Sequence, residues 1–244
     1  MKKQILFRIG IIMSVIVLFT SCVHNDIKIR GYGPIIEEIR DLEGFTEIES
    51  DIDADIDILY GQDYSIEIEA QENILDILET DVRSGRLDIE FSKNVKEHDG
   101  VYIRIYMPEL DAIMLNGVGD IEVFDTFNCD NLYLEVRGAG DIICDDIFAE
   151  NIYIQLSGVG DIELYGSKIV EKIDIDLSGV GDVNTYGIEA EEVDVFHSGV
   201  GKCKVRFISS LDVTITGVGD VYFIGDANNV NSSITGLGKV INDN

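Results

Sequence analysis

The chain lacks tryptophan and contains only two prolines, three histidines and four cysteines among its 244 residues. It has no C-x-x-C, H-E-x-x-H or phosphate-loop motif and no evident Ser-His-Asp set, so the patterns of common redox, zinc-protease, nucleotide and serine-hydrolase sites are missing. A scarcity of proline fits a chain dominated by strands. Carboxylates are so abundant that a glycosidase-like pair could be chosen anywhere, and their spacing therefore carries no catalytic evidence.

Positive charge is also scarce. The chain has 18 Lys and Arg residues against 47 Asp and Glu residues, which gives a formal net charge of −29 at pH 7. This charge repels nucleic acid and anionic membrane surfaces, so we expect no nucleic-acid partner. It is compatible with cation binding and, more simply, with solubility.

Residues 1–21 have the pattern of a bacterial lipoprotein signal peptide. A basic start precedes the apolar run of residues 9–19, which is too short to span a membrane as a helix. Residues 18–21 lead into Cys22 and resemble the lipobox, in which small residues precede a cysteine that is lipidated and becomes the new N-terminus. The alternative is an ordinary signal peptide that happens to contain a cysteine.

Cys22 is therefore the predicted lipid attachment site, and residues 22–27 form a short tether behind it. Acyl groups would anchor the chain to a membrane without spanning it. Val23 follows Cys22 where an aspartate would favour retention in the inner membrane. By resemblance to the usual sorting rule, we expect an outer-membrane lipoprotein of the cell envelope, on its surface or its periplasmic face.

A five-residue phrase recurs seven times in the second half of the chain: a polar or small residue, glycine, an apolar residue, glycine, and then Asp or Lys. The first glycines of the phrase are Gly117, Gly138, Gly158, Gly179, Gly199, Gly217 and Gly236. They recur about every 20 residues in a stretch without helical periodicity, which predicts the stacked coils of a parallel β-solenoid. One coil cannot bury its own apolar face, so the stack is the expected folding unit.

Each repeat reads as a strand, a bend at the phrase and a second strand. Positions two and four residues before the first glycine, and four after it, are nearly all apolar and share one parity, as a strand with one buried face requires. Leu134, Ile154 and Ile175 should therefore sit above one another in the core. The apolar residue between the two glycines, such as Val159, is expected to turn back toward the core at a corner.

Residues 28–110 are expected to form an N-terminal β part without the phrase, and residues 111–244 the seven-repeat solenoid.

A regular polar column lies three residues after each first glycine and has outward parity. Its members are Asp120, Asp141, Asp161, Asp182, Lys202, Asp220 and Lys239. One interpretation is a row of carboxylates that binds cations, with calcium the one candidate cofactor, or a polar ligand. The other is that Asp after a glycine bend caps the turn through its own side chain.

The remaining cysteines and one histidine have structural explanations. Cys144 and Cys203 fall in inward columns and are expected to pack as small core residues, whereas Cys129 lies in a connection between strands. Three cysteines beyond Cys22 make no disulfide framework. His197 replaces Leu or Ile in a core column, which favours a core residue over a metal ligand.

Several segments resemble the auto-transporter adhesin head GIN domain family (DUF2807) of envelope lipoproteins. The resemblance covers residues 28–243 and rests on the lipobox, the serial glycine phrases and residues 44–48, 73–77, 85–89 and 108–110. It implies an all-β fold, a right-handed parallel β-helix or β-solenoid with about 20 residues per coil, and a role at the cell envelope. It transfers no catalytic residues. Lys239 stands where the family pattern favours Asp.

These observations lead to a functional hypothesis: a lipid-anchored, non-enzymatic adhesin or binding scaffold with an acidic face. Its partners would be the membrane, through the lipid, and an extracellular protein or glycan. One alternative is a carbohydrate-active β-helix enzyme, a lyase or hydrolase. That class usually has longer coils and aromatic sugar platforms, which this sequence lacks. A purely structural envelope protein is the other alternative.

Overall fold

The structure is a computed structural model and describes residues 28–244. The predicted signal peptide, Cys22 and the tether up to residue 27 lie outside the described residues. Strands account for 62% and helix for 3% of the structure, and parallel coils stack about 20 residues apart. The expected all-β parallel solenoid is confirmed.

The N-terminal part contains nine strands and one helical turn. They are β1 (Ile29–Arg30), β2 (Ile35–Arg40), β3 (Glu47–Ser50), β4 (Asp55–Tyr60), β5 (Ser65–Gln71), α1 (Glu72–Leu75), β6 (Leu78–Arg83), β7 (Arg86–Phe91), β8 (Val95–Glu97) and β9 (Tyr102–Met107).

The repeat region places one strand before each glycine phrase and one after it. Its strands are β10 (Ala112–Leu115), β11 (Ile121–Val123), β12 (Phe127–Val136), β13 (Ile142–Cys144), β14 (Ile147–Leu156), β15 (Ile162–Tyr165), β16 (Val170–Leu177), β17 (Val183–Gly187), β18 (Ala190–His197), β19 (Cys203–Ile215), β20 (Val221–Ile224), β21 (Val230–Ile234) and β22 (Val240–Asn242). A 3-10 turn, Ala227–Asn229, precedes β21. The long β19 follows one phrase and runs without a break into the next.

Strands before the phrase stack into one parallel sheet, called sheet 1, and strands after it stack into a second, called sheet 2. In sheet 1, Leu134 pairs with Ile154, and Ile154 with Ile175, so the predicted column is confirmed. These three side chains are at most 3% exposed. Because burying one Ile or Leu contributes about 1.5–3 kcal/mol, the apolar columns between the sheets supply the main stabilisation.

The N-terminal strands extend both sheets, but not in chain order. β3 continues sheet 1 beside β10, and β7 lies beyond β3. β4 continues sheet 2 beside β11, and β9 lies beyond β4. Antiparallel strands then finish this end of the stack, with β6 beside β7, and β5 beside β9 followed by β2.

Successive coils approach most closely at the two glycines of the phrase. A Cβ added to Gly158 would overlap the carbonyl oxygen of Gly138, and one added to Gly160 would overlap that of Gly140. Gly160 also has φ = +148°, whereas Gly158 lies outside the left-handed region. Only glycine allows both the backbone contact and this conformation.

Alanine substitutions should separate these two effects. Gly85 has φ = +85° but open space around its Cβ position, so Gly85→Ala should cost only about 1–2 kcal/mol of backbone strain. Gly158→Ala adds an overlap without that strain and should cost about 1–3 kcal/mol or more. Gly160→Ala combines both and should lower the midpoint of urea unfolding the most. Equal midpoints for the three variants would contradict the close backbone contact.

Candidate functional site

The glycine phrase presents three parallel columns of side chains on the outside of the solenoid. The hydroxyl column, one residue before the first glycine, contains Asn116, Arg137, Ser157, Ser178, Ser198, Thr216 and Thr235. The valine ladder, between the glycines, contains Val118, Ala139, Val159, Val180, Val200, Val218 and Leu237. The Asp ladder, three residues after the first glycine, contains Asp120, Asp141, Asp161, Asp182, Lys202, Asp220 and Lys239.

The valine ladder faces solvent, and the expectation that these residues turn toward the core is wrong. Val118, Val159, Val180, Val200 and Val218 are 48–56% exposed, and Leu237 is 75% exposed. Each member pairs in parallel with its equivalent in the next coil. Like the two polar columns, this position lies an odd number of residues from the first glycine. The alternation of inward and outward side chains therefore continues through the phrase. What is unusual about the ladder is its apolar character.

Each aspartate of the Asp ladder contacts the next coil. The backbone N–H of Asp161 donates to Oδ1 of Asp141, and that of Asp182 to Oδ1 of Asp161, both over 2.7 Å. The same bond joins the other neighbouring pairs wherever the earlier coil supplies an aspartate. The carboxylates therefore cap the following coil. The second interpretation of the sequence, in which each aspartate caps its own turn, is wrong about the partner. One oxygen of each carboxylate stays free of this bond.

The Asp ladder begins one coil earlier than the phrase. Asp55 Oδ1 accepts from the backbone N–H of Asp120 over 3.2 Å, and Asp53 pairs with Val118. The equivalents of the two glycines in this coil are Ile52 and Ala54. The repeat pattern of the sequence does not reveal this member, because the glycines that mark the phrase are absent from this coil.

The outer face of sheet 1 carries a shallow depression of about 390 Å³. Asp174, Asp194 and Asp212 line it together with Phe196, which is 44% exposed. Lys172 Nζ lies 3.0 Å from Asp174 and 2.7 Å from Asp194. Because one lysine faces several carboxylates, the depression is negatively charged, and the exposed ring of Phe196 lies in its lining.

A second depression, of about 340 Å³, lies beside β8 near the N-terminal end and was not predicted from the sequence. Lys93, Lys96, His98 and Asp53 line it. His98 Nδ1 accepts from the backbone N–H of Gly100 over 3.0 Å, so Nε2 carries the hydrogen of the neutral ring. Nε2 lies 3.9 Å from Asp53 Oδ2. The sequence signal was a pair of lysines close to a histidine in an otherwise acidic chain.

Comparison with known proteins decides the family. One family model, described as "Putative auto-transporter adhesin, head GIN domain", matches residues 44–227, which is more than half of the chain. This chain belongs to the head GIN domain family. The match includes the N-terminal coil of β3 and β4 and most of the glycine phrases. No curated protein sequence matches the chain.

Solved structures share the fold of this head GIN domain. A chain named "putative adhesin" from Bacteroides fragilis has 24% sequence identity and a TM-score of 0.83, over 88% of this chain and 99% of its own. A "putative adhesin" from Parabacteroides merdae has 18% identity and a TM-score of 0.68, over 89% and 99%. A "putative lipid binding protein" from Parabacteroides distasonis has 21% identity and a TM-score of 0.71, over 89% and 100%. At these identities the likeness shows the fold.

The three cysteines of this head GIN domain that the structure describes are free thiols. Burial raises the pKa of Cys203 to about 12 and that of Cys129 to about 11, with nearby carboxylates adding to both shifts. Burial also raises the pKa of Cys144. Because the thiolate is the reactive form, these cysteines are poor nucleophiles near neutral pH. Cys144 and Cys203 are core residues, as predicted. Cys129 does not lie in a connection between strands as expected: it is half-buried within β12, where it pairs with Ala149 of β14.

His197 is buried in its predicted core column between Leu177 and Ile215. Its Nε2 lies 2.8 Å from the carbonyl oxygen of Gly201, and its Nδ1 is buried without a hydrogen-bond partner. This arrangement gives the ring one hydrogen bond and no nearby ligand set. The histidine is part of the core packing.

Among residues 28–244, three acidic side chains converge closely enough to share an ion only at Glu79, Asp81 and Glu90. Arg83 pairs with two of them, Asp81 and Glu90, over 2.8 and 3.5 Å. Cation binding by the Asp ladder stays a prediction.

Within residues 28–244, no helix is long and apolar enough to cross a membrane.

The Asp ladder can be tested at Asp161. Asp161→Ala removes the acceptor for the N–H of Asp182 and should cost about 0.5–1.5 kcal/mol. Asp161→Asn keeps an acceptor oxygen and removes like-charge repulsion of about 1 kcal/mol in water, so it should be neutral or stabilising. Urea unfolding of both variants measures the difference. If Asn destabilised as much as Ala, the inter-coil hydrogen bond would not be the ladder's contribution.

Proposed function

We propose that this head GIN domain protein is a non-enzymatic adhesin or binding scaffold, held at the cell envelope by a lipid on Cys22. The observation that carries the proposal is the family match, because it extends over the solenoid itself. The signal-peptide pattern and the lipobox before Cys22 support export and lipid attachment.

The shape of the solenoid suits a scaffold. Coils that hydrogen-bond to both neighbours form a rigid body, and outward positions can vary without disturbing the core. The outer face of sheet 1 is our candidate for the adhesive surface, since Asp174, Asp194, Asp212 and Phe196 combine carboxylates with an exposed ring. Such a surface favours a partner with cationic or hydroxyl groups, which includes basic proteins and glycans.

Adhesion is tested with beads coated with residues 23–244, the predicted mature chain without Cys22. We expect the beads to bind epithelial cells, matrix proteins or a glycan array. The joint replacement Asp174→Asn, Asp194→Asn and Asp212→Asn should abolish binding. Replacing Asp120, Asp141 and Asp161 by Asn makes the same charge change in the Asp ladder and should leave binding intact.

Other results, from this assay, from deletion of the protein or from incubation with polysaccharides, would change the proposed function. Equal loss with both sets would indicate nonspecific charge attraction. Absence of binding to every surface, with a growth defect on deletion of the protein, would favour a structural role in the envelope. Cleavage of an acidic polysaccharide would favour the enzyme.

Lipid attachment is tested separately with Cys22→Ser in the full chain. The thioether-forming sulfur is lost, so incorporation of labelled palmitate should fall to background and the protein should leave the membrane fraction. Ser21→Ala, which keeps a small residue before Cys22, should retain the label. Membrane association of Cys22→Ser without label would contradict anchoring through Cys22.

A further inference from the structure

The apolar character of the valine ladder is not explained by the fold. A β-branched residue suits the extended backbone at this position, but threonine has that shape and is polar. Threonine occupies the adjacent hydroxyl column at Thr216 and Thr235, yet it occurs at no position of the ladder. All seven members are apolar while both flanking columns are polar throughout. Backbone preference therefore accounts for the shape of the residue and leaves its exposed apolar surface unexplained.

The valine ladder forms one continuous exposed apolar stripe. Seven members paired from coil to coil, about 4.8 Å apart, extend over roughly 29 Å. Scattered apolar side chains are normal on a surface, but a contiguous patch rimmed by polar residues marks an interaction site. The hydroxyl column and the Asp ladder are that rim.

The spacing of the stripe restricts what can cover it. An extended peptide lying along the ladder presents same-face side chains every ~6.6 Å, and a helix presents one turn every ~5.4 Å. Neither repeat stays in register with a 4.8 Å ladder over seven coils. A second stack of β-coils does, and a second copy of this chain has an identical ladder.

We propose that two copies of this chain associate through their valine ladders, with a twofold axis parallel to the direction in which the coils stack. Each coil then lies against the same coil of the other copy. The twofold axis places the hydroxyl column of one copy beside the Asp ladder of the other. Both N-terminal ends point the same way, which also suits two chains anchored in one membrane.

The flanking columns complement each other in this arrangement. Arg137 lies beside Asp141, and the hydroxyls of Ser157 and Ser178 beside Asp161 and Asp182 of the second copy. In coils where the Asp ladder has Lys202 or Lys239, the facing residue is Ser198 or Thr235, whose hydroxyl oxygen can accept a hydrogen bond. No coil brings two like charges together across the dimer.

The opposite orientation is only partly complementary. With the twofold axis perpendicular to the stack and centred on Val180, each Asp ladder faces the other. Asp161 then faces Lys202 and Asp120 faces Lys239, but Asp182 lies opposite Asp182 of the second copy and Asp141 opposite Asp220. Like charges desolvated against one another are destabilising, and only the parallel arrangement avoids them in every coil.

The size and charge of the surface predict how the dimer behaves. Three columns of seven residues fall at the lower end of the roughly 20–30 residues a side found in stable interfaces. The net charge of −29 opposes association at low ionic strength. Added salt should therefore strengthen the dimer, because it screens that repulsion and leaves the apolar contact in place.

Sedimentation equilibrium of residues 23–244 measures the association. We expect a monomer–dimer equilibrium that tightens with salt. Val159→Thr, Val180→Thr and Val200→Thr together keep the β-branched shape and should weaken it roughly tenfold or more. The control, Tyr153→Thr and Phe196→Thr, removes exposed apolar rings elsewhere and should leave it unchanged. The proposal is overturned if the chain is a monomer at every protein and salt concentration. It is also overturned if the valine-ladder variants leave the monomer–dimer equilibrium unchanged.

Cysteine cross-linking determines the orientation. In a Cys129→Ser background, Val118→Cys, Val180→Cys and Val218→Cys are each oxidised, and disulfide dimers are counted on a non-reducing gel. The parallel axis places each residue next to the same residue of the second copy, so all three variants should cross-link. Cross-linking of Val180→Cys alone would establish the antiparallel arrangement and overturn this one. The bead assay is independent of this result, because the proposed adhesive face lies on sheet 1.

Discussion

The contact on which the rest of the structure depends is the approach of backbone to backbone at the glycine phrase. A carbonyl oxygen of one coil occupies the place where a side chain on the next coil would begin, as at Gly140 and Gly160. This contact lets the chain turn between the two sheets while every coil keeps the same spacing. It also leaves the phrase with outward side chains only. The valine ladder, the hydroxyl column and the Asp ladder are therefore consequences of one packing constraint.

The N-terminal end of the stack shows what the constraint requires of a neighbour. The coil of β3 and β4 has Ile52 and Ala54 at the glycine positions, and the carbonyl oxygens of these two residues point at Gly117 and Gly119 of the next coil. On its other side this coil faces the segment around β8 and the strand β9 instead of another glycine phrase. Side chains are tolerated there because no further copy of the turn is stacked against them. Glycine is needed where a carbonyl oxygen points at the residue's own Cα.

Sequence periodicity predicted the repeat region well because each inward column is nearly uniform. The register of Leu134, Ile154 and Ile175, and the burial of Cys203, follow from parity and spacing alone. The order of the N-terminal strands could not be obtained in this way. β7 and β9 follow β3 and β4 in the chain but lie on their far side, and nothing local to those strands encodes which edge they join. Pairing of non-repeated strands depends on long-range packing that a single pattern does not contain.

The candidate surfaces were only partly predictable for a related reason. Parity correctly placed the Asp ladder on the outside. The hydrogen-bond partner of each carboxylate was predicted wrongly, because the donor N–H belongs to the next coil and the sequence of a single turn does not indicate it. For the valine ladder, parity indicated exposure and hydrophobicity indicated burial, and the structure shows that parity prevailed. In a solenoid the backbone decides direction, so an apolar residue at an outward position remains exposed. Such a residue cannot contribute to the core of its own chain, and its apolar surface is available to another molecule.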